Sequence, residues 1–323
     1  MTPKLQKLLE QVNETYPGTV MVRTGQEKSG RLRLDQVKQS FLADRLLIEV
    51  PDETEADFAI GVELIQLLLS LNGIVPQIFF GLTFEDETLD QQLVTIASRL
   101  HRMVMHAIAF REMGKQGYLN NSTATAFRNG IADELSDEQE EIDGQHLFRL
   151  LSLVDAQIFN AVLKERELAE ESAEPERFYQ SHYPRANADA KALAEPIMSA
   201  DLTDSRTIRK TIVHLFAGLD ELLAKENLPT VNAQQYVTLA PVLSERQLNG
   251  PVKNLYEIFH SEMTDYASKE KAYVGLGKQD KQNTFVIATP KNPADRPKFF
   301  TELYALSVRE LLEKLALPYI LRK

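Results

Sequence analysis

The sequence predicts an α+β fold that is predominantly helical. It has a small N-terminal sheet packed on helices, then a mainly helical half carrying a β-hairpin. Three observations predict this. Apolar residues recur at three- and four-residue steps through most of the 323 residues, the period of a buried helical face. Short runs rich in β-branched residues cluster near the N-terminus, at 19–23 and 46–50, and read as strands. Two further such runs, 272–277 and 284–288, flank a polar turn and read as a hairpin.

The chain is organised around residues 57–73. Ile60, Leu64, Leu67, Leu68 and Leu71 mark a helix that is apolar nearly all round, and such a helix sits in a core. It is about four to five turns long. Asp52 lies three residues before Glu55, the spacing of a capping box. Asn72-Gly73 ends the pattern, as helices often end. Glu63 and Gln66 are the polar exceptions within the run. An ionised carboxylate in a core is costly unless paired, so Glu63 demands a partner.

In this setting the five residues Val62-Glu63-Leu64-Ile65-Gln66 resemble the active-site helix of a zincin, a gluzincin-type metallopeptidase. That family carries His-Glu-x-x-His, two zinc ligands with a general base between them. The resemblance extends to the flanks, a strand at 46–50 followed by an acidic helix start. It places Val62 and Gln66 at the ligand positions and Glu63 at the base position. An isopropyl group offers no lone pair, and an amide oxygen is a poor zinc ligand. The aligned site is therefore vestigial: Val62, Glu63, Gln66 and, on a later helix, His106. No catalytic residue, metal or cofactor is expected from it. Glu112 stands where a third ligand would be sought, but nothing in its spacing singles it out. The runs Tyr16-Pro17-Gly18-Thr19-Val20, Leu34-Asp35-Gln36-Val37-Lys38 and Pro76-Gln77-Ile78-Phe79-Phe80 resemble proteins labelled the IpaB/EvcA family, mostly over the first third of the chain.

Along the chain, Leu5, Leu8, Leu9 and Val12 give a first helix closed near Tyr16-Pro17-Gly18. Residues 31–34 alternate polar and apolar and predict a strand. With 46–50 they make a small sheet whose Arg23, Lys28, Arg31 and Arg33 form a solvated face. Residues 74–82 are an apolar loop or strand. Thr88 or Asp90 caps a long helix to about residue 114, with Leu93, Ala97, Leu100, Val104 and Ala107 in its buried stripe. His101 and His106 lie five apart on it, about 140° around the axis, so they are a poor ligand pair. His106 reads as a hydrogen-bonded core histidine with Glu63 as its natural partner.

Asn120-Asn121-Ser122 punctuates before a helix to about residue 135. The acidic stretch 133–143 lacks the pattern of a calcium loop and reads as a solvated connector. A helix follows over 145–163. Residues 170–187, acidic and with two prolines, predict the boundary between a zincin-like N-terminal domain, 1–169, and a helical C-terminal domain, 188–323. In the latter, Ile208, Ile212, Leu215, Leu219 and Leu222 mark a helix, as do Leu255, Ile258, Phe259 and Met263. Asp295 caps a last helix that runs through Phe300 and Leu311 to Leu315, and Pro318 stops it. Gly275-x-Gly277-Lys278 is not a P-loop, since the upstream glycine spacing and the following Ser/Thr are missing.

Composition narrows the function classes. The net charge of −11 argues against broad nucleic-acid binding, which needs a basic face. The absence of cysteine excludes disulfides, thiolate metal sites and a cysteine nucleophile. The first residues lack the features of a signal peptide, and the apolar runs are interrupted well short of a membrane span. The expectation is a cytoplasmic protein without a membrane span, acting on an unknown protein or peptide partner. Three readings stay open: a non-catalytic zincin-like binding or scaffold protein, a hydrolase using a residual site around Glu63 and His106, and a helical interaction module without peptidase ancestry.

Overall fold

The computed structural model describes residues 1–139 and 143–322. The fold is α+β and predominantly helical, with a small N-terminal sheet and later hairpins. In chain order its first elements are α1 (Pro3–Thr15), β1 (Thr19–Glu27), β2 (Lys38–Leu42), β3 (Arg45–Asp52), α2 (Ala56–Leu71), β4 (Ile78–Phe79), β5 (Leu82–Thr83) and α3 (Glu87–Gln116). Then come α4 (Asn121–Glu134), α5 (His146–Glu165), α6 (Ala169–His182), α7 (Pro184–Ser199) and α8 (Ser205–Lys225). The remainder is α9 (Ala233–Tyr236), β6 (Thr238–Leu239), β7 (Val242–Leu243), α10 (Glu245–Leu248), α11 (Val252–Leu255), β8 (Tyr256–Asp265), β9 (Lys271–Gly277), β10 (Asn283–Ile287), α12 (Arg296–Ala305), α13 (Val308–Lys314) and β11 (Ile320–Leu321).

The chain divides into two compact units, 1–72 with 102–199, and 73–101 with 200–323. The first holds a three-stranded sheet in the order β1-β3-β2. β1 runs parallel to β3, and β2 is antiparallel to it. Four phenylalanines, one each from α2, α3, α4 and α5, make the centre of its core. Phe127 and Phe159 stack at 4.3 Å, and Phe110 meets Phe159 edge-on at 5.5 Å and Phe58 at 5.7 Å. All four are buried, and each contributes about 3 kcal/mol or more to stability. α5 is long and apolar enough to cross a membrane by length and composition, but it is mostly buried inside the protein. β2 is one of the sheet's two edge strands, and on it Phe41 is 72% exposed and Leu42 is 54% exposed.

The second unit holds a four-stranded antiparallel sheet, β10-β9-β8-β5, with two short pairs, β4 with β6 and β7 with β11. Its core gathers Leu248, Val252, Tyr256, Phe285, Val308 and Leu311. The predicted hairpin is β9 and β10.

Several elements differ from the sequence reading, each for a local reason. Residues 31–34 are not a strand. Leu32 and Leu34 are buried, but Leu32 N–H bonds to the Ala126 carbonyl of α4 at 2.8 Å instead of to a strand. The sheet's third strand is β2, whose side chains are mostly exposed, so it carries no alternation to read. Asp52 does not cap α2; its carboxylate accepts from Thr54 N–H at 2.7 Å and from Ser29, and left-handed Glu55 begins the helix. The long helix α3 is opened by Asp86, which accepts from Thr88 and Leu89 N–H. Asp90 instead accepts from Phe84 N–H and the Thr83 hydroxyl.

Residues 170–187 are helical, as α6 and the start of α7, within the first unit. Pro184 opens α7 rather than breaking a helix, because a first-turn proline has no N–H to lose. In the acidic stretch, residues 140–142 lie outside the described residues, but Glu138 is no solvated connector residue. Its side chain is 4% exposed and accepts from the backbone N–H groups of Arg185 and Ala186 in the first turn of α7. Residues 256–265 are the strand β8, not a helix. A register shift between His260 and Thr264 breaks the two-residue alternation, and the apolar spacing then mimics a helical period. The last helix is two, α12 and α13, separated at Leu306 and Ser307.

Candidate functional site

The vestigial-site residues Val62, Glu63, Gln66 and His106 fall in the first unit. α2 is buried along ten of its sixteen residues, and Val62 is fully buried. Gly61 permits this burial, because a Cβ there would meet Met113 of α3 and Leu5 of α1. Glu63 is buried, with its side chain only 3% exposed. Its Oε1 accepts from Arg102 Nη2 of α3, and its Oε2 accepts from Gln39 Nε2 of β2 at 2.9 Å. Both oxygens of the carboxylate are therefore engaged. Gln66, one turn on, is 7% exposed, and its Nε2 has no partner among the described residues.

His106 is buried but is not the partner of Glu63. Its Nδ1 lies 2.8 Å from Asp155 Oδ1 of α5, and its ring stacks on Phe110 at 5.1 Å. With the carboxylate accepting, Nδ1 carries the proton. Nε2 is buried and has no partner among the described residues. The expected Glu63–His106 pair is thus replaced by two pairs that share helix α3. Arg102 and His106 are four residues apart, one turn, and so lie on one face of that helix. Glu112 is a surface residue paired with Lys115 at 3.3 Å. His101 belongs to the second unit, where its Nε2 lies 2.8 Å from the Pro76 carbonyl. Among the described residues no group of three or more His, Cys, Asp or Glu is placed to hold a metal ion.

Sequence reasoning missed Arg102, Gln39 and Asp155. Arg102 was the recoverable one: a cation one turn before His106, at the margin of a buried stripe, is a natural neutraliser for a buried carboxylate. Asp155 was the second, a lone acid among Leu151, Val154 and Ile158 of α5. Gln39 sits on an edge strand without an apolar pattern and gave no signal.

No protein-family model matches the chain, and no curated protein or solved structure matches it.

Proposed function

We propose that this chain is a non-catalytic protein of zincin-like build that acts by binding, as a cytoplasmic scaffold for a protein or peptide partner. The observation that supports this reading most directly is the engagement of both Glu63 oxygens by Arg102 and Gln39. A general base must turn a free lone pair toward the proton it removes. Here each carboxylate oxygen accepts a hydrogen bond that ties α2 to α3 or to β2. Val62 and Gln66, at the positions where the zincin pattern has imidazoles, point the same way.

The test is metal content together with turnover. After incubation in excess zinc and desalting, elemental analysis is expected to find no stoichiometric metal, and Glu63→Gln is expected to leave a peptide and ester library screen unchanged. Zinc near one equivalent per chain, lost on Glu63→Ala, overturns the reading. The combined change Val62→His with Gln66→His tests the descent itself: acquired zinc affinity supports it, and none counts against the alignment.

A second reading, a hydrolase, draws on one specific observation. His106 has a carboxylate at Nδ1 and an unpartnered Nε2, the arrangement of an oriented imidazole base. Turnover in the same screen that His106→Ala abolishes would replace the first reading with this one.

A further inference from the structure

The second unit contains a cleft that the site around Glu63 does not involve. Its volume is about 90 Å³, room for several water-sized groups, so it admits a ligand of a few heavy atoms. Its lining combines the apolar residues Pro241, Leu243 and Leu255 with polar residues rich in donors.

Those donors are fixed by the surrounding fold. Arg209 of α8, only 13% exposed, spends Nε on the Ala240 carbonyl and Nη1 on Asp280. Its Nη2 makes no hydrogen bond among the described residues. Gln247 of α10 uses its Oε1 in the capping box with Ser244, accepting from Ser244 N–H at 2.9 Å. That leaves its amide NH₂ for the cleft. Thr284 of β10 is 1% exposed and lines the cleft, and its hydroxyl has no hydrogen bond of good geometry. Beside it stands the Tyr256 phenol, which burial pushes up to about 12, against the opposing pull of Arg209 and the Thr284 hydroxyl. It is therefore a protonated hydroxyl at any physiological pH.

The β9–β10 turn supplies the remaining charge. Lys278 is exposed at the mouth, with its backbone N–H on the Leu255 carbonyl at 2.9 Å. Asp280 folds back over Gly277, where a Cβ would lie 2.3 Å from its Oδ1. The Gly277-Lys278 pair that fails as a phosphate loop thus serves this turn. Two cations and one carboxylate, already paired with Arg209, leave the lining with one net positive charge.

We propose that this cleft binds a small monocarboxylate, its oxyanion set among Arg209, Gln247, Lys278 and Thr284 and its short aliphatic part against Pro241, Leu243 and Leu255. A cation finds no free carboxylate there. A phosphate dianion brings more charge than the lining neutralises and sits beside Asp280.

The test is a ligand-detected NMR titration of the full chain with acetate, propionate and butyrate, with propionamide and inorganic phosphate as comparators. Propionate is expected to saturate with a Kd on the order of 1 mM, a reasonable value for five heavy atoms. Propionamide is expected not to bind, and phosphate to bind at least several-fold more weakly. Thr284→Val removes only the hydroxyl, and Lys278→Ala alters an exposed residue that bears no packing. A loss of roughly threefold or more in propionate affinity in either variant supports the site. The proposal is overturned by no saturation below roughly 20 mM, by equal binding of the amide, by tighter binding of phosphate, or by wild-type affinity in both variants.

Discussion

Arg102 reaches Glu63 from a side chain that is 34% exposed to a carboxylate that is 3% exposed. The pair joins two helices of the first unit at the margin of its core, and the carboxylate has given up its water. Removing the cation leaves a buried charge with only Gln39 to meet it. Arg102→Met is therefore expected to destabilise the protein by about 2–3 kcal/mol, read by urea denaturation. The double variant, Arg102→Met with Glu63→Met, is expected to recover part of that loss. A double variant as unstable as the sum of the singles would refute the pairing.

Gly130 lies in α4 against the backbone of Leu32, and a Cβ there would stand 2.2 Å from the Leu32 carbonyl oxygen. Alanine is the better helix former in isolation by about 1 kcal/mol. The collision is with main chain that is itself hydrogen-bonded to Ala126, so it cannot be relieved by a rotamer change. Gly130→Ala is expected to cost about 1–3 kcal/mol net. A stabilised variant in thermal unfolding would show that α4 is free to move away.

Ser307 opens α13 with a full capping box. Its hydroxyl accepts from Glu310 N–H at 3.2 Å, and Glu310 accepts from Ser307 N–H at 2.8 Å. The Ser307 hydroxyl also donates to the Glu310 carboxylate at 2.7 Å, and this bond holds that carboxyl below its usual range. Ser307→Ala is expected to cost about 1 kcal/mol, while Ser307→Asp is expected to keep most of the stability. Equal losses in the two variants would assign the effect to something other than the cap.

His101 gives a pH dependence of definite sign. Burial lowers its pKa from the ordinary 6.5, against the pull of its bond to the Pro76 carbonyl. Below 6.5 the unfolded chain takes a proton that the native ring resists. The stability contribution is therefore full above 6.5 and is lost as pH falls from 6.5 through the folded-state pKa. One proton limits the slope to about 1.4 kcal/mol per pH unit. Gln in place of His101 can still donate to Pro76 but does not titrate, so His101→Gln is expected to flatten the fall in denaturation midpoints as pH drops below about 6.5. An unchanged slope would mean that the ring is not the group responsible.

The helices rich in apolar periodicity, α2, α3, α5 and α8, were legible because their buried stripes follow one period over many turns. The β9–β10 hairpin was legible because two strand-like runs, 272–277 and 284–288, flank a polar turn. Residues 256–265 were not, since a bulge reset the phase and left Leu255, Ile258, Phe259 and Met263 at helical spacing. The split between α12 and α13 turned on a Ser307–Glu310 signal hidden inside a continuous apolar pattern. At the site, burial of Glu63 and His106 followed from their neighbours in sequence. Arg102 and Asp155 stood out locally as lone charges beside buried stripes, but which buried group each one meets depends on how separate helices face each other, which no local spacing encodes.

The open strand β2 has a practical consequence. Its outer row of peptide groups is unmatched within the sheet, and Phe41 and Leu42 stand bare beside it. Lys38, exposed at the start of the strand, acts as a charged gatekeeper against sticking between molecules. Concentrated, high-salt handling weakens that guard first, which makes this rim the place where clumping of otherwise native protein begins.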